Sequence, residues 1–295
     1  RGALFITAGL RGDRAPNVGR QYRTTLAPRI GAAYVRQLGT VQAKFRAAYG
    51  KGIRPPISGA RDGGMSAQGT VLPNPAIGPE WQTGADAGVD LAFGPWGSFS
   101  ATYYDQTARD LIDLVPLDAS ATPAYMYQNA GSIRNTGWEL DGTFSPVKAV
   151  ALRGEVTVMD SRVEALSAEY TGDLRVGDRP HATPRVTSGG GIRVIPRPST
   201  DLELFFVHTG SWTDYDYLAL YGTRYGGQPR RPSQRDYLRS YPGFTKVGLT
   251  VNHRLTDRLD IFLSVENLTG SHAVEQNDVY VLPGRTTVLG THLRY

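Results

Sequence analysis

Residues 41–50 read VQAKFRAAYG. In an extended chain, successive side chains point to opposite faces. Val41, Ala43, Phe45, Ala47 and Tyr49 therefore share one face, and Gln42, Lys44 and Arg46 fall on the other. A helix would gather its apolar residues every three or four positions, not every second one. The stretch is a strand with one apolar and one polar side. The same period returns along the chain. Ala85, Ala87, Val89, Leu91 and Phe93 oppose Asp86, Gly88 and Asp90. Val150, Leu152, Val156 and Val158 oppose Arg153, Glu155 and Thr157. Leu259, Ile261, Leu263 and Val265 oppose Asp260, Phe262 and Ser264.

Working outward, the pattern predicts strands at 3–11, 27–37, 41–50, 81–93, 96–114, 125–145, 148–165, 184–196, 200–214, 243–255, 258–268 and 285–295. Alternation alone does not separate a soluble sandwich from a membrane barrel. The connections do. Short ones at 38–40, 94–95, 146–147, 197–199 and 256–257 alternate with long ones at 12–26, 51–80, 115–124, 166–183, 215–242 and 269–284. Short turns on one rim and long loops on the other are the layout of an outer-membrane barrel. A sandwich has no reason to keep that rhythm. The predicted fold is all-β: an antiparallel meander of about twelve strands forming part of a transmembrane barrel. Segments 96–114 and 125–145 are long enough to project beyond the lipid.

Aromatic residues near strand ends fit girdles at the two headgroup levels. Tyr34, Phe93, Trp96, Phe144 and Tyr295 lie towards the short-turn rim; Tyr49, Trp81, Trp212 and Tyr241 lie towards the other. No run of about eighteen apolar residues is present, which argues against a membrane helix only. No helical period of ten or more residues is found.

Composition narrows the chemistry. The 295 residues include 35 Gly and 16 Tyr, in keeping with strands joined by turns, and no Cys. Disulfides, thiol nucleophiles and Cys-type zinc sites are excluded. The net charge of +5 comes from interspersed basic and acidic residues, unlike the clustered patch of a nucleic-acid binder. His181, His208, His253, His272 and His292 are scattered without metal-ligand spacing, and no GxSxG elbow occurs. Gly189-Gly190-Gly191 opens a strand, not a helix, so it does not read as a phosphate loop. No catalytic residue, metal or cofactor is predicted.

Local motifs add a family resemblance. Tyr49-Gly50-Lys51-Gly52 and Ile53-Arg54-Pro55-Pro56 are followed by Asn74-Pro75, Pro79-Glu80, Gly88 and Asp90. Then come Tyr103-Tyr104 with Asp110-Leu111-Ile112, Asn129-Ala130-Gly131 with Gly137-Trp138-Glu139-Leu140, and Val265-Glu266-Asn267-Leu268. Pro283-Gly284-Arg285, Gly290 and the final Tyr295 close the series, apolar residues alternating before an aromatic end. In this order the motifs resemble those of TonB-dependent receptors. Thr269-Gly270 departs from the acidic residue usual after "NL".

The resemblance implies a 22-strand barrel with an N-terminal plug. Residues 1–295 would be the C-terminal portion of that barrel, with plug and TonB box absent. The start at Arg-Gly-Ala-Leu-Phe, already inside a strand pattern, agrees with that expectation. It further implies an outer-membrane receptor in a Gram-negative cell. That receptor would import a scarce nutrient chelate, such as a ferric siderophore or cobalamin, with TonB, membrane lipid and lipopolysaccharide as partners. A passive porin, a twelve-strand outer-membrane enzyme and an autotransporter barrel are the alternatives.

Ligand contact is expected in loop 215–242 and its flanks. Trp212, Tyr215, Tyr217, Tyr221, Arg224, Tyr225 and Arg231 combine aromatic contact area with bidentate donors for an anionic chelate. Arg46, Asp86, Asp90 and Glu139, on the polar face of the strands, form a second set.

Overall fold

The computed structural model describes residues 2–14, 25–66, 69–117, 124–225, 227, 231, 233–272, 274 and 284–294. Its core is one twelve-stranded antiparallel sheet in which every strand pairs with its sequence neighbours in the wall. We number them β1 (Gly2–Asp13), β2 (Thr25–Leu38), β3 (Val41–Arg54), β4 (Glu80–Ala92), β5 (Gly97–Arg109) and β6 (Gly131–Val147). The second half is β7 (Val150–Leu166), β8 (Val186–Arg197), β9 (Thr200–Thr209), β10 (Phe244–Thr256), β11 (Leu259–Glu266) and β12 (Thr286–Leu293). All twelve predicted strands are present, and the short and long connections alternate as read.

Register explains the two faces. Tyr34 pairs with Phe45, which pairs with Val89, which pairs with Ala101, so one row carries only apolar side chains. Leu152–Ile192–Leu204–Leu249–Val265 continues the pattern across five strands. These rows form an apolar belt that stays open to the surroundings; Ile6, for instance, is 69% exposed. Such a face in water would be an aggregation surface, whereas in a bilayer it is solvated by acyl chains. The opposite face carries the charged pairs.

The belt has edges. Tyr34, Phe93, Trp96 and Phe144 are exposed towards the short-turn rim. Tyr49, Tyr103 and Trp138 are exposed at the other edge, with the Tyr103 and Trp138 rings 5.3 Å apart. Beyond them on the same face the residues become charged: Arg134 pairs with Asp105 at 2.5 Å. Two members of the expected upper girdle belong elsewhere. Trp212 and Tyr241 are 5% and 1% exposed and stack on each other inside a loop hairpin. Trp81 stays on the outer face, above the belt. Tyr295 and Pro283 lie outside the described residues.

Three predicted strands are shorter than read because the chain breaks at the rim. Segment 96–114 breaks at Asp110, which has φ 55°, a left-handed position that Asp tolerates. Segment 125–145 breaks at Ala130–Gly131; Gly131 has φ 141°, and a Cβ there would sit 2.1 Å from the Ala165 carbonyl oxygen. Only glycine fits. Gly137 allows a close approach: a Cβ there would lie 2.3 Å from the Val158 carbonyl oxygen and 2.5 Å from the Tyr104 hydroxyl. Segment 200–214 breaks after Thr209.

Candidate functional site at the long-loop rim

The released chain ends form a second layer of structure. Gly64–Ser66, Gly69–Leu72, Ala124–Asn129 and Ile112–Pro116 make a four-stranded sheet, in that order, joining two long loops. One pairing is parallel, Gly69–Leu72 with Ala124–Asn129. The sequence motifs hold it in place. The Asn74 amide donates to the Tyr127 carbonyl at 2.8 Å. Asn129 accepts from the Gly78 N–H at 2.8 Å and donates to the Asp110 carbonyl at 2.7 Å. Buried Glu80 accepts from the Ile112 N–H at 2.8 Å and pairs with Arg54. The Asn-Pro…Pro-Glu and Asn-Ala-Gly motifs are thus the two halves of one clasp.

A neighbouring cluster ties three long loops together. The Tyr170 hydroxyl donates to Asp113 at 2.7 Å, and the Tyr215 hydroxyl donates to Asp173. Thr171 and Gln128 exchange backbone and side-chain hydrogen bonds at 2.9 and 3.0 Å. Arg235 spans the Asp173 carbonyl and the Asp178 carboxylate, both at 2.6 Å. The His181 ring meets the edge of Tyr215 at 4.8 Å. Between these groups lies a cavity of about 310 Å³, lined by Asp173, His181, Tyr215 and residues 111–116, Asp113 among them. Ile133, on the polar-face parity of β6, forms part of the lining, so the cavity belongs to the polar-face side of the wall.

The electrostatics favour a fixed, neutral-tyrosine arrangement. Burial, and then the Asp113 carboxylate, hold the Tyr170 hydroxyl above its ordinary range. Burial and then Asp173 do the same for Tyr215. Burial pulls the Asp178 carboxyl upward, but hydrogen bonds from Arg235 and the Arg175 N–H outweigh it and leave it below the ordinary range. Such a cavity can bind by shape and hydrogen bonding. No group of three or more His, Asp or Glu suited to a metal occurs among the described residues.

The predicted ligand residues fall into two sets. Trp212 and Tyr215 belong to the hairpin Trp212–Tyr215/Leu238–Tyr241, where Trp212 stacks on Tyr241 and Tyr215 reaches Asp173. Tyr217, Tyr221, Arg224 and Tyr225 lie on a nine-residue helix, α1 (Tyr217–Tyr225), entered through Asp216, whose carboxylate accepts from the Ala219 N–H at 2.9 Å. Tyr217 meets Tyr215 edge-on at 5.9 Å. Arg231 is exposed, with its guanidinium 4.8 Å over the Tyr237 ring. The hairpin and helix replace the irregular loop expected at 215–242. Asp113, Tyr170, Asp173, His181 and Arg235 were missed as a unit because they come from separate loops and share no spacing.

On the polar face of the wall, Arg46 pairs with Asp90 at 3.1 Å and Asp86 at 3.7 Å and donates to Thr102 at 2.5 Å. Lys44 reaches Asp90 at 3.1 Å. Arg153–Glu203 and Arg193–Asp201 extend this polar lining at 2.8 and 2.5 Å.

A meander wall with an apolar outer belt, a charged inner face and long-loop clasps defines the class. The family model "TonB dependent receptor-like, beta-barrel" matches residues 2–268, and the chain belongs to that family. A search of curated proteins finds no match. Among solved structures, it is similar to the ferric enterobactin receptor PfeA of Pseudomonas aeruginosa (17% identity, TM-score 0.70, 98% of this chain and 42% of that one). It is also similar to the siderophore receptor PirA of Pseudomonas aeruginosa (13%, 0.67, 98% and 45%). The FrpB iron transporter of Neisseria meningitidis is a third (18%, 0.64, 92% and 39%). The chain spans less than half the length of each of these proteins.

Proposed function

We propose that this chain is part of an outer-membrane receptor that captures a scarce metal chelate, such as a ferric siderophore, at the long-loop rim. Import would use energy delivered from the inner membrane through TonB, acting on an N-terminal plug held against the polar face. The observation that carries this reading is the cavity tied together by three long loops above the charged face of a wall of this family. The names of the similar receptors agree with an iron chelate. In this reading Trp212 and Tyr215 hold the loop base, while Tyr217, Tyr221, Arg224, Tyr225 and Arg231 supply contact to an anionic ligand.

The deciding experiment is uptake of labelled ferric chelates by cells carrying or lacking the whole gene, each with and without TonB. Uptake is expected only with both. Uptake that persists without TonB would make the protein a passive pore. Replacing Tyr221, Tyr225, Arg224 and Arg231 together by Ala or Ser should weaken chelate binding at normal surface level. Unchanged affinity would remove helix α1 and its flank from the site.

A further inference from the structure

The outer face carries a feature that nutrient import does not use. Most of the belt is bulky, but one register row runs Ile6, Ala32, Ala47, Ala87, Tyr103 across β1 to β5. Three small residues between two large ones leave a groove of about 520 Å³, lined almost wholly by apolar groups. Its upper end is bordered by Tyr49, at the edge of the belt. Directly above, on the same outward parity, stand Lys51, Trp81 and Arg109. The Lys51 ammonium lies 3.9 Å from the centre of the Trp81 ring, and Arg109 is the register partner of Trp81.

These two cations differ from the others nearby. Arg134 is neutralised by Asp105 at 2.5 Å and approached by Glu164 at 3.9 Å. Asp105, which also borders the groove, is thereby spoken for. Lys51 and Arg109 have no carboxylate partner among the described residues, and Arg109 is exposed. Thr83 and Thr107, paired with each other, place hydroxyls between them.

We propose that this groove and its cations are a specific site for one outer-leaflet glycolipid with a phosphorylated sugar headgroup. An acyl chain fills the alanine groove, and the phosphates meet Lys51 and Arg109. A simple phospholipid fits less well. In the register Lys51 is level with Thr83 and Thr107, and Arg109 stands two residues beyond Thr107, roughly 7 Å further along the strand. Cations at two depths, with hydroxyls between, match a headgroup that carries anionic groups at more than one level. The inference rests on the outer-membrane placement above but not on ligand identity; cell fractionation tests the placement separately from the lipid site.

The test is native mass spectrometry of the whole receptor in detergent, titrated with bisphosphorylated lipid A, dephosphorylated lipid A or phosphatidylglycerol. Wild type should retain one lipid A, about tenfold or more tighter than the dephosphorylated form, as expected for charge-assisted bonds. Lys51→Glu with Arg109→Glu should abolish that preference. Ala47→Phe with Ala87→Phe, which fills the groove from the lipid side, should weaken both forms. Heat-modifiable gel migration verifies that each variant is folded. Equal binding of the two lipid A forms, or binding unchanged in both variants, overturns the site. Phosphatidylglycerol binding as tightly as lipid A overturns the glycolipid assignment.

Discussion

The wall and the loop cluster both use Arg–Asp pairs, yet the pairs do different work. On the wall, Arg46, Lys44, Asp86 and Asp90 decorate strands whose backbone groups are already satisfied by the β3–β4 and β4–β5 ladders. At the rim, Arg235, Asp178, Asp173, Tyr215 and Tyr170 join segments that share few backbone bonds; Ala182 N–H to the Thr213 carbonyl at 2.9 Å is one. Side chains there stand in for a ladder. A side-chain loss should therefore be local and large at the rim, and small on the wall.

Trp212→Ala gives the largest expected effect. Removing a buried indole stacked on Tyr241 should destabilise the hairpin by roughly 3–5 kcal/mol. Hydrogen exchange should accelerate across 210–243 while β9 and β10 stay protected. Loss of protection in the wall strands would show that the two layers unfold as one.

Arg235→Ala comes next. It takes the guanidinium from the Asp173 carbonyl and leaves the Asp178 carboxylate only the Arg175 N–H, at about 1–3 kcal/mol. Limited proteolysis should then cut 167–185 and 210–243 faster. Equal rates in mutant and wild type would make the pair ornamental, like the wall pairs.

The rim should also show a pH window. Asp178 lies below its ordinary 3.8 when folded, so its contribution is present above that value and fades as the pH falls through the folded pKa. Tyr170 and Tyr215 lie above their ordinary 10.0, so theirs is whole below 10 and fades as the pH rises towards the folded values. Protease resistance of the loops should be flat from about pH 5 to 9 and decline beyond on both sides. A transition inside that range would show that groups other than these three set the loop stability.

The smallest effect belongs to Arg46→Ala. A partly exposed pair on an intact ladder should shift wall stability by under about 1 kcal/mol, read from the temperature of heat-modifiable migration. A loss as large as that of Trp212→Ala would erase the distinction between the regions.

Legibility in the sequence followed the same division. Strand positions, the polar and apolar faces and the alternation of turns and loops were all readable, because each depends on period two and on local turn residues. The clasp motifs were visible as motifs, but not that Asn74 and Asn129 serve one sheet. The breaks at Asp110 and Gly131 were missed because strand propensity runs through both; a left-handed Asp and a glycine pressed against Ala165 show only in three dimensions.

Periodicity alone, then, determined a two-faced antiparallel wall, since a face is set by parity and parity is written residue by residue. Tertiary structure alone decided what the rim residues do. Trp212 and Tyr241 read like interface aromatics and are buried; Tyr170 reads like any loop tyrosine and holds Asp113 at 2.7 Å. Partners 57 residues apart in sequence meet only because the meander brings the ends of separate hairpins to one rim. No local pattern encodes such a meeting; the distance between side chains is fixed by the sheet that carries them.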